Sequence, residues 1–149
     1  MPEGQAPFID RRQRFAEALG DAIAVIPGGA EVRRNNDVHY PFRQNSDFYF
    51  LTGFDEPDSV AVFNPSDPKE RYVLFVRPRD RQMEIWNGRR AGVEGAVAAY
   101  GADTAYPIEE LDERLRSWLI DHSTLYYRLG NPAYDPRITR LMVELRGAR

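Results

Sequence analysis

Five short stretches of this chain are apolar on both sides of an extended backbone: Ala22–Ile26, Asp47–Thr52, Ser59–Phe63, Arg71–Val76 and Thr124–Leu129. A strand with one face in water alternates apolar and polar residues. These stretches do not, so each must be covered on two sides. The connectors Gly53–Asp58 and Asn64–Glu70 carry Gly, Pro, Asp and Asn. Both are too short for a helical crossover, so the 47–52, 59–63 and 71–76 runs are expected to form an antiparallel meander. Ala22–Ile26, closed by Pro27-Gly28-Gly29, reads as a further buried strand.

Helices supply the cover. Phe8, Phe15 and Leu19 fall on one helical stripe with Arg11, Arg12 and Arg14 facing water, and Gly20 is a stop signal. Val93, Val97 and Tyr100 repeat the spacing before Gly101. Pro107 can open a helix whose buried stripe is Ile108, Leu111, Leu115, Trp118 and Leu119, with Glu109, Glu110 and Asp112 at the positive end of its dipole. Asp135-Pro136 reads as a cap and first residue for a helix buried through Ile138, Leu141, Met142 and Leu145. Residues 30–46 are mostly polar and read as a loop with room for one short strand. The fold class is α/β, a mixed sheet with helices on both faces. A chain of 149 residues holds this as one domain spanning 1–149.

Composition removes several functions. Hydrophobic residues at 42% and aromatics at 12% exclude a disordered chain. A net charge of −3 argues against a dedicated nucleic-acid or anionic-membrane binder. The absence of cysteine excludes disulfide scaffolds, thiolate metal sites and cysteine nucleophiles. No apolar run is long enough to span a bilayer, and the first residues lack a signal peptide's basic and apolar regions. The expectation is a soluble, cytoplasmic protein. Lys69 is the only lysine among 20 basic residues, and the arginines are scattered among acids, as surface ion pairing requires.

Few residues could carry chemistry. The histidines are His39 and His122. Asp37 and His39 alternate in an extended stretch, and with Asp47 they sketch a hard-metal site, although acids in polar loops are ordinarily solvated. His122 sits at a helix end, where a cation is favoured without further role. Asp55-Glu56-Pro57-Asp58 could pair carboxylates for acid–base work, but a proline-bearing turn offers solvent rather than the burial such work needs. There is no nucleophile elbow, no phosphate loop and no helical zinc motif, and Gly28-Gly29 lacks the remaining glycines of a dinucleotide loop. Trp86, between Glu84 and Arg89-Arg90 and beside Asn87-Gly88, sits among loop residues. It is either an exposed anchor for a partner or ligand, or a ring folded back onto the sheet.

Two blocks carry a resemblance: Tyr40-Pro41-Phe42-Arg43-Gln44-Asn45-Ser46-Asp47-Phe48-Tyr49 with Leu51-Thr52-Gly53-Phe54 and Glu56-Pro57, then Glu84-Ile85-Trp86-Asn87-Gly88-Arg89-Arg90. In order and separation they resemble the N-terminal, creatinase-type domain of bacterial Xaa-Pro aminopeptidase (aminopeptidase P), over roughly residues 10–130. Prolidase and creatinase share the fold with different motifs. The resemblance implies a mixed, roughly six-stranded sheet flanked by helices. It implies a parent metallo-aminopeptidase that removes the N-terminal residue from peptides with proline in second position. Catalysis there belongs to a C-terminal pita-bread domain holding two Mn²⁺ ions, which would begin about where this chain ends. No metal ligand carries over, and the fragment alone is expected to be inactive, with no cofactor of its own. The implied partners are the C-terminal domain, peptide substrates and other copies in a homo-oligomer, with no nucleic acid or membrane. Two positions carry over as substrate-binding: Trp86, matching a tryptophan that reaches a neighbouring subunit's active-site mouth, and Asp37, an acid of the loop region near the substrate entrance. Against this stand a free-standing ligand- or peptide-binding module and a nuclease-like Mg²⁺ enzyme. The last is disfavoured because most acids lie in turns or on helices.

Overall fold

The computed structural model describes residues 4–30 and 42–148. In chain order they form α1 (Ala6–Leu19), β1 (Ile23–Pro27), α2 (Ser46–Thr52), β2 (Val60–Phe63), β3 (Tyr72–Val76), α3 (Arg81–Asn87) and α4 (Gly92–Tyr100). There follow β4 (Thr104–Pro107), a single 3-10 turn at Ile108–Glu110, α5 (Leu111–Leu119), β5 (Leu125–Tyr127) and α6 (Asp135–Ala148). The described strands make one five-stranded sheet in the order β4-β3-β2-β1-β5. β1, β2 and β3 are an antiparallel meander, with Val25 opposite Val62 and Val62 opposite Val73. β4 runs parallel to β3 and β5 parallel to β1, which makes the sheet mixed.

β1, β2 and β3 are covered on both sides as their sequence requires. β5, expected to be covered likewise, is not: it is an edge strand with Tyr126 55% exposed, and Leu129 just beyond it is 76% exposed. Ala24, Ala61, Phe63, Leu74 and Val76 point to the face packed with Phe48, Leu51 and Ala96 of α2 and α4, and Phe15 of α1. The intervening residues Ile23, Val25, Val60, Val62, Val73 and Phe75 meet Leu111, Leu115, Leu119, Ile138, Leu141 and Leu145 of α5 and α6 on the other face. Phe63 stacks on Tyr72, with ring centres 5.1 Å apart, and Phe75 meets Trp118 edge-on. Arg12, expected to face water, is instead buried. It donates to the Leu51 carbonyl at 3.0 Å and lies 4.5 Å from the Tyr72 ring centre. Burial lowers its pKa, opposed by the nearby Tyr72 and Asp103.

Three expectations need correction. The 47–52 run is the helix α2, not a strand, and β1 takes its place in the meander. Only Phe48, Leu51 and Thr52 are buried, which is helical spacing, and Tyr49 and Phe50 face outward. Gly53 ends the helix in the left-handed conformation at φ 66°, with its N–H donating to the Tyr49 carbonyl at 2.8 Å. A Cβ there would come within 2.7 Å of the Phe8 ring. The second correction is β4: Pro107, expected to open a helix, is the last residue of this strand, and the helix begins at Leu111 after the 3-10 turn. The third is Arg81–Asn87, a helix where a loop was expected, capped by the Asp80 carboxylate on the Gln82 and Met83 N–H groups. The described residues hold five strands where about six were implied.

Candidate functional site

Pro27 of β1 lies opposite Val60, Val60 lies opposite Phe75, and Val76 lies beside Pro107. The segments 27–29, 55–59 and 77–91 are therefore gathered at one end of the sheet. Gln44 ties the first two together. Its side-chain oxygen accepts the Gly29 and Asn45 N–H groups, and its amide donates to the Phe54 and Glu56 carbonyls at 3.1 and 3.0 Å. Asn45 adds a bond to the Pro27 carbonyl at 3.3 Å. This close approach explains the double glycine: a Cβ on Gly29 would sit 2.9 Å from the Arg43 carbonyl oxygen. Gly28-Gly29 is a packing device.

Glu56 ties in the third segment. One carboxylate oxygen accepts the Ala91 N–H at 2.9 Å and the other pairs with Arg77 at 3.3 Å. The expectation of a solvated turn acid is thus corrected: both oxygens are engaged and the pair is half-buried. Glu56 fixes the point where the chain returns from α3.

Within that excursion Glu84 is the organising group. Its carboxylate accepts the Arg90 N–H at 2.8 Å and the Asp80 N–H at 3.1 Å, and Arg79 Nε lies 3.0 Å away. These donors, the Arg90 N–H foremost, hold the carboxyl below its ordinary range against the opposing effect of burial. Trp86 projects away from this centre and is 83% exposed; its neighbour Ile85 is 78% exposed. The ring folded back onto the sheet, one of two readings open for Trp86, is not what the structure has.

The other candidates are not gathered here. Asp37 and His39 lie outside the described residues. Asp47, the third member of the sketched metal site, is paired with Arg128 at 2.8 Å. His122 closes the C-terminal end of α5: its Nδ1 faces the Trp118 carbonyl at 2.7 Å and its Nε2 faces the Asn64 side chain at 2.8 Å.

A family model described as the aminopeptidase P N-terminal domain matches residues 8–126. The chain belongs to that family. Among its relatives, the Xaa-Pro aminopeptidase of Haemophilus influenzae is 41% identical over 121 residues, covering 80% of this chain and 28% of the relative. That of Escherichia coli is 40% identical over 139 residues, covering 92% of this chain and 32% of the relative. The solved Pseudomonas aeruginosa aminopeptidase superposes with a TM-score of 0.90 at 38% identity, covering 98% of this chain and 34% of that one. The chain therefore spans about a third of the length of these relatives.

For an aminopeptidase P N-terminal domain the arrangement is coherent. The motif residues Gln44, Asn45, Glu56 and Glu84 are spent on backbone bonds that shape one end of the sheet. Among the described residues no three His, Asp or Glu side chains are grouped to hold a metal ion, so the described part of this domain does not fit a two-metal centre. No helix of the described residues is long and apolar enough to cross a membrane. The sequence reading passed over Gln44 and Glu84 because both act mainly through main-chain N–H and C=O groups, which leave no pattern of paired side chains. The one available signal was Asp80, a cap-type residue, followed by the acid Glu84 at the start of the helix.

Proposed function

We propose that this chain is the N-terminal, non-catalytic domain of a manganese-dependent Xaa-Pro aminopeptidase, an enzyme that removes the first residue from peptides with proline in second position. The domain contributes to subunit assembly in a cytoplasmic homo-oligomer and shapes the substrate entrance through Trp86, with Asp37 as a second contact. The two Mn²⁺ ions and the hydrolytic water belong to another domain of the enzyme. The carrying observation is Trp86 itself: an indole 83% exposed on a helix held by charged and backbone hydrogen bonds. With Ile85 beside it also exposed, the ring is an apolar anchor of the kind that partner and ligand sites use, and the names of the relatives supply the substrate class.

Trp86 performs no proton or metal chemistry in this reading; it gives the substrate a flat apolar wall. Trp86→Ala in the enzyme carrying this domain should lower kcat/KM about 10-fold, or about 1.4 kcal/mol, with metal content unchanged. The same substitution in the chain alone should lower stability by no more than about 1 kcal/mol, because so little of the ring is removed from water. A loss of about 3–5 kcal/mol, the range for a packed aromatic, would make Trp86 structural and refute the assignment.

A further inference from the structure

α3 is an unusual helix in what it turns inward. It has seven residues, well below the roughly 12–15 at which an isolated helix becomes even marginally stable. None of its described side chains is an apolar core residue: Ile85 and Trp86 are 78% and 83% exposed, and Met83 is also exposed. The described side chain that turns inward is a carboxylate, Glu84, at 8% exposure. What fixes the ends of this helix is therefore polar. Glu84 accepts from the Asp80 N–H before the helix and from the Arg90 N–H after it, so one carboxylate closes the whole 80–90 excursion into a ring. Arg79 braces it from the side at 3.0 Å, and Arg90 donates its guanidinium to the Pro78 carbonyl at 3.1 Å. Asp80, the nearest other acid, is spent on the Gln82 and Met83 N–H groups. Just outside the ring, Glu56 anchors Ala91 and Arg77.

We propose that Glu84 is the positioning residue for Trp86: by joining both ends of the excursion it holds the indole in one orientation before any partner or substrate arrives. The value of such a brace follows from the ordering entropy of binding. A ring carried on a loop that must first be ordered contributes less to affinity than one already fixed. This inference rests on the proposed substrate-side role of Trp86 for its purpose, but not for its test.

The test reads Trp86 directly. In a Trp118→Phe background Trp86 is the one remaining tryptophan of the two in the chain, and its time-resolved fluorescence anisotropy reports local motion. Glu84→Ala should add a fast anisotropy decay and speed amide exchange at Arg90 by about 10-fold or more, while the global thermal midpoint stays nearly fixed. Glu84→Gln should fall between. Its oxygen can still accept the Arg90 N–H, but its amide nitrogen meets the Asp80 N–H, donor against donor. If the alanine chain does not melt cooperatively, the glutamine chain carries the comparison. An anisotropy decay unchanged in the folded variant overturns the proposal, whatever the enzyme's activity does. A freed Trp86 in an enzyme of undiminished kcat/KM leaves Glu84 as the brace and removes the substrate-side reading of Trp86 instead.

Discussion

Replacing Gln44 tests the claim that one amide holds the sheet end together. Gln44→Ala leaves the Gly29 N–H and the Phe54 carbonyl, both on buried residues, without their side-chain partner. Each such orphan costs about 1–3 kcal/mol. The Asn45 N–H and Glu56 carbonyl also lose a partner but sit closer to solvent, and water entering the vacated space recovers part of the loss. The net expectation is about 3 kcal/mol, or a thermal midpoint lower by about 6–12 °C for a chain of this size. Gln44→Glu sharpens the test because it leaves volume and shape unchanged. The carboxylate can still accept the Gly29 N–H, but its second oxygen faces the Phe54 and Glu56 carbonyls, acceptor against acceptor. It should destabilise nearly as much as alanine at neutral pH. Urea or thermal melts of the two variants beside the parent decide the matter. A Gln44→Glu chain as stable as the parent, or an alanine loss under about 1 kcal/mol, would show that the amide is not what joins these loops.

Arg12→Met keeps an apolar stem against Tyr72 but removes the bond to the Leu51 carbonyl; melts should show a loss of about 1–3 kcal/mol, and a gain in stability would refute a binding role for the buried guanidinium. Asp135 is held below its ordinary 3.8 by the Tyr127 hydroxyl first and by backbone N–H groups. A depressed folded pKa contributes stability that is complete above the unfolded value and is lost as pH falls through the folded one. Asp135→Asn should accordingly flatten the fall in thermal midpoint between about pH 5 and pH 3, and parallel curves for the two chains would contradict it.

Where burial on both faces dictates sequence, the fold was readable. β2 and β3 lie within the runs that their unbroken apolar character marks out, β1 overlaps its run up to Ile26, and the stripes of α5 and α6 reach the core as spaced. β5 lies within its run too, but as a half-buried edge strand with Tyr126 exposed. α2 was misread because Phe48-Tyr49-Phe50 favours extended structure locally. The packing that makes it a helix, Phe48 and Leu51 against the sheet with Gly53 turning away, depends on residues far off in the chain. β4 offered only Thr104-Ala105-Tyr106-Pro107, and Ala105 is buried because Leu74 lies beside it. At the site, the polar neighbours of Trp86 left two readings open, and its exposure is the one the structure has. The roles of Gln44 and Glu56 could not be anticipated, since Gly29, Phe54, Arg77 and Ala91 lie 10 to 35 residues from them. Glu84 serves nearby main-chain N–H groups, which every stretch of chain offers and no side-chain pattern marks.

The parallel pairing of β1 with β5 has a consequence for synthesis. As the chain leaves the ribosome, the β1–β2–β3 meander can close early, yet the other edge of β1 has no neighbour until Leu125 emerges. Roughly 60 residues separate the end of β2 from that strand, several seconds of translation at about 5–20 residues per second. During that interval Ile23 and Val25 also lack α5 and α6, which cover them in the finished fold. A nascent chain stalled in this stretch presents an open strand edge beside an uncovered apolar face, which is the form a holding chaperone recognises and a neighbouring polysome can recruit into an aggregate. Slowing translation after Phe63 should therefore lower the soluble yield more than slowing it after Tyr127.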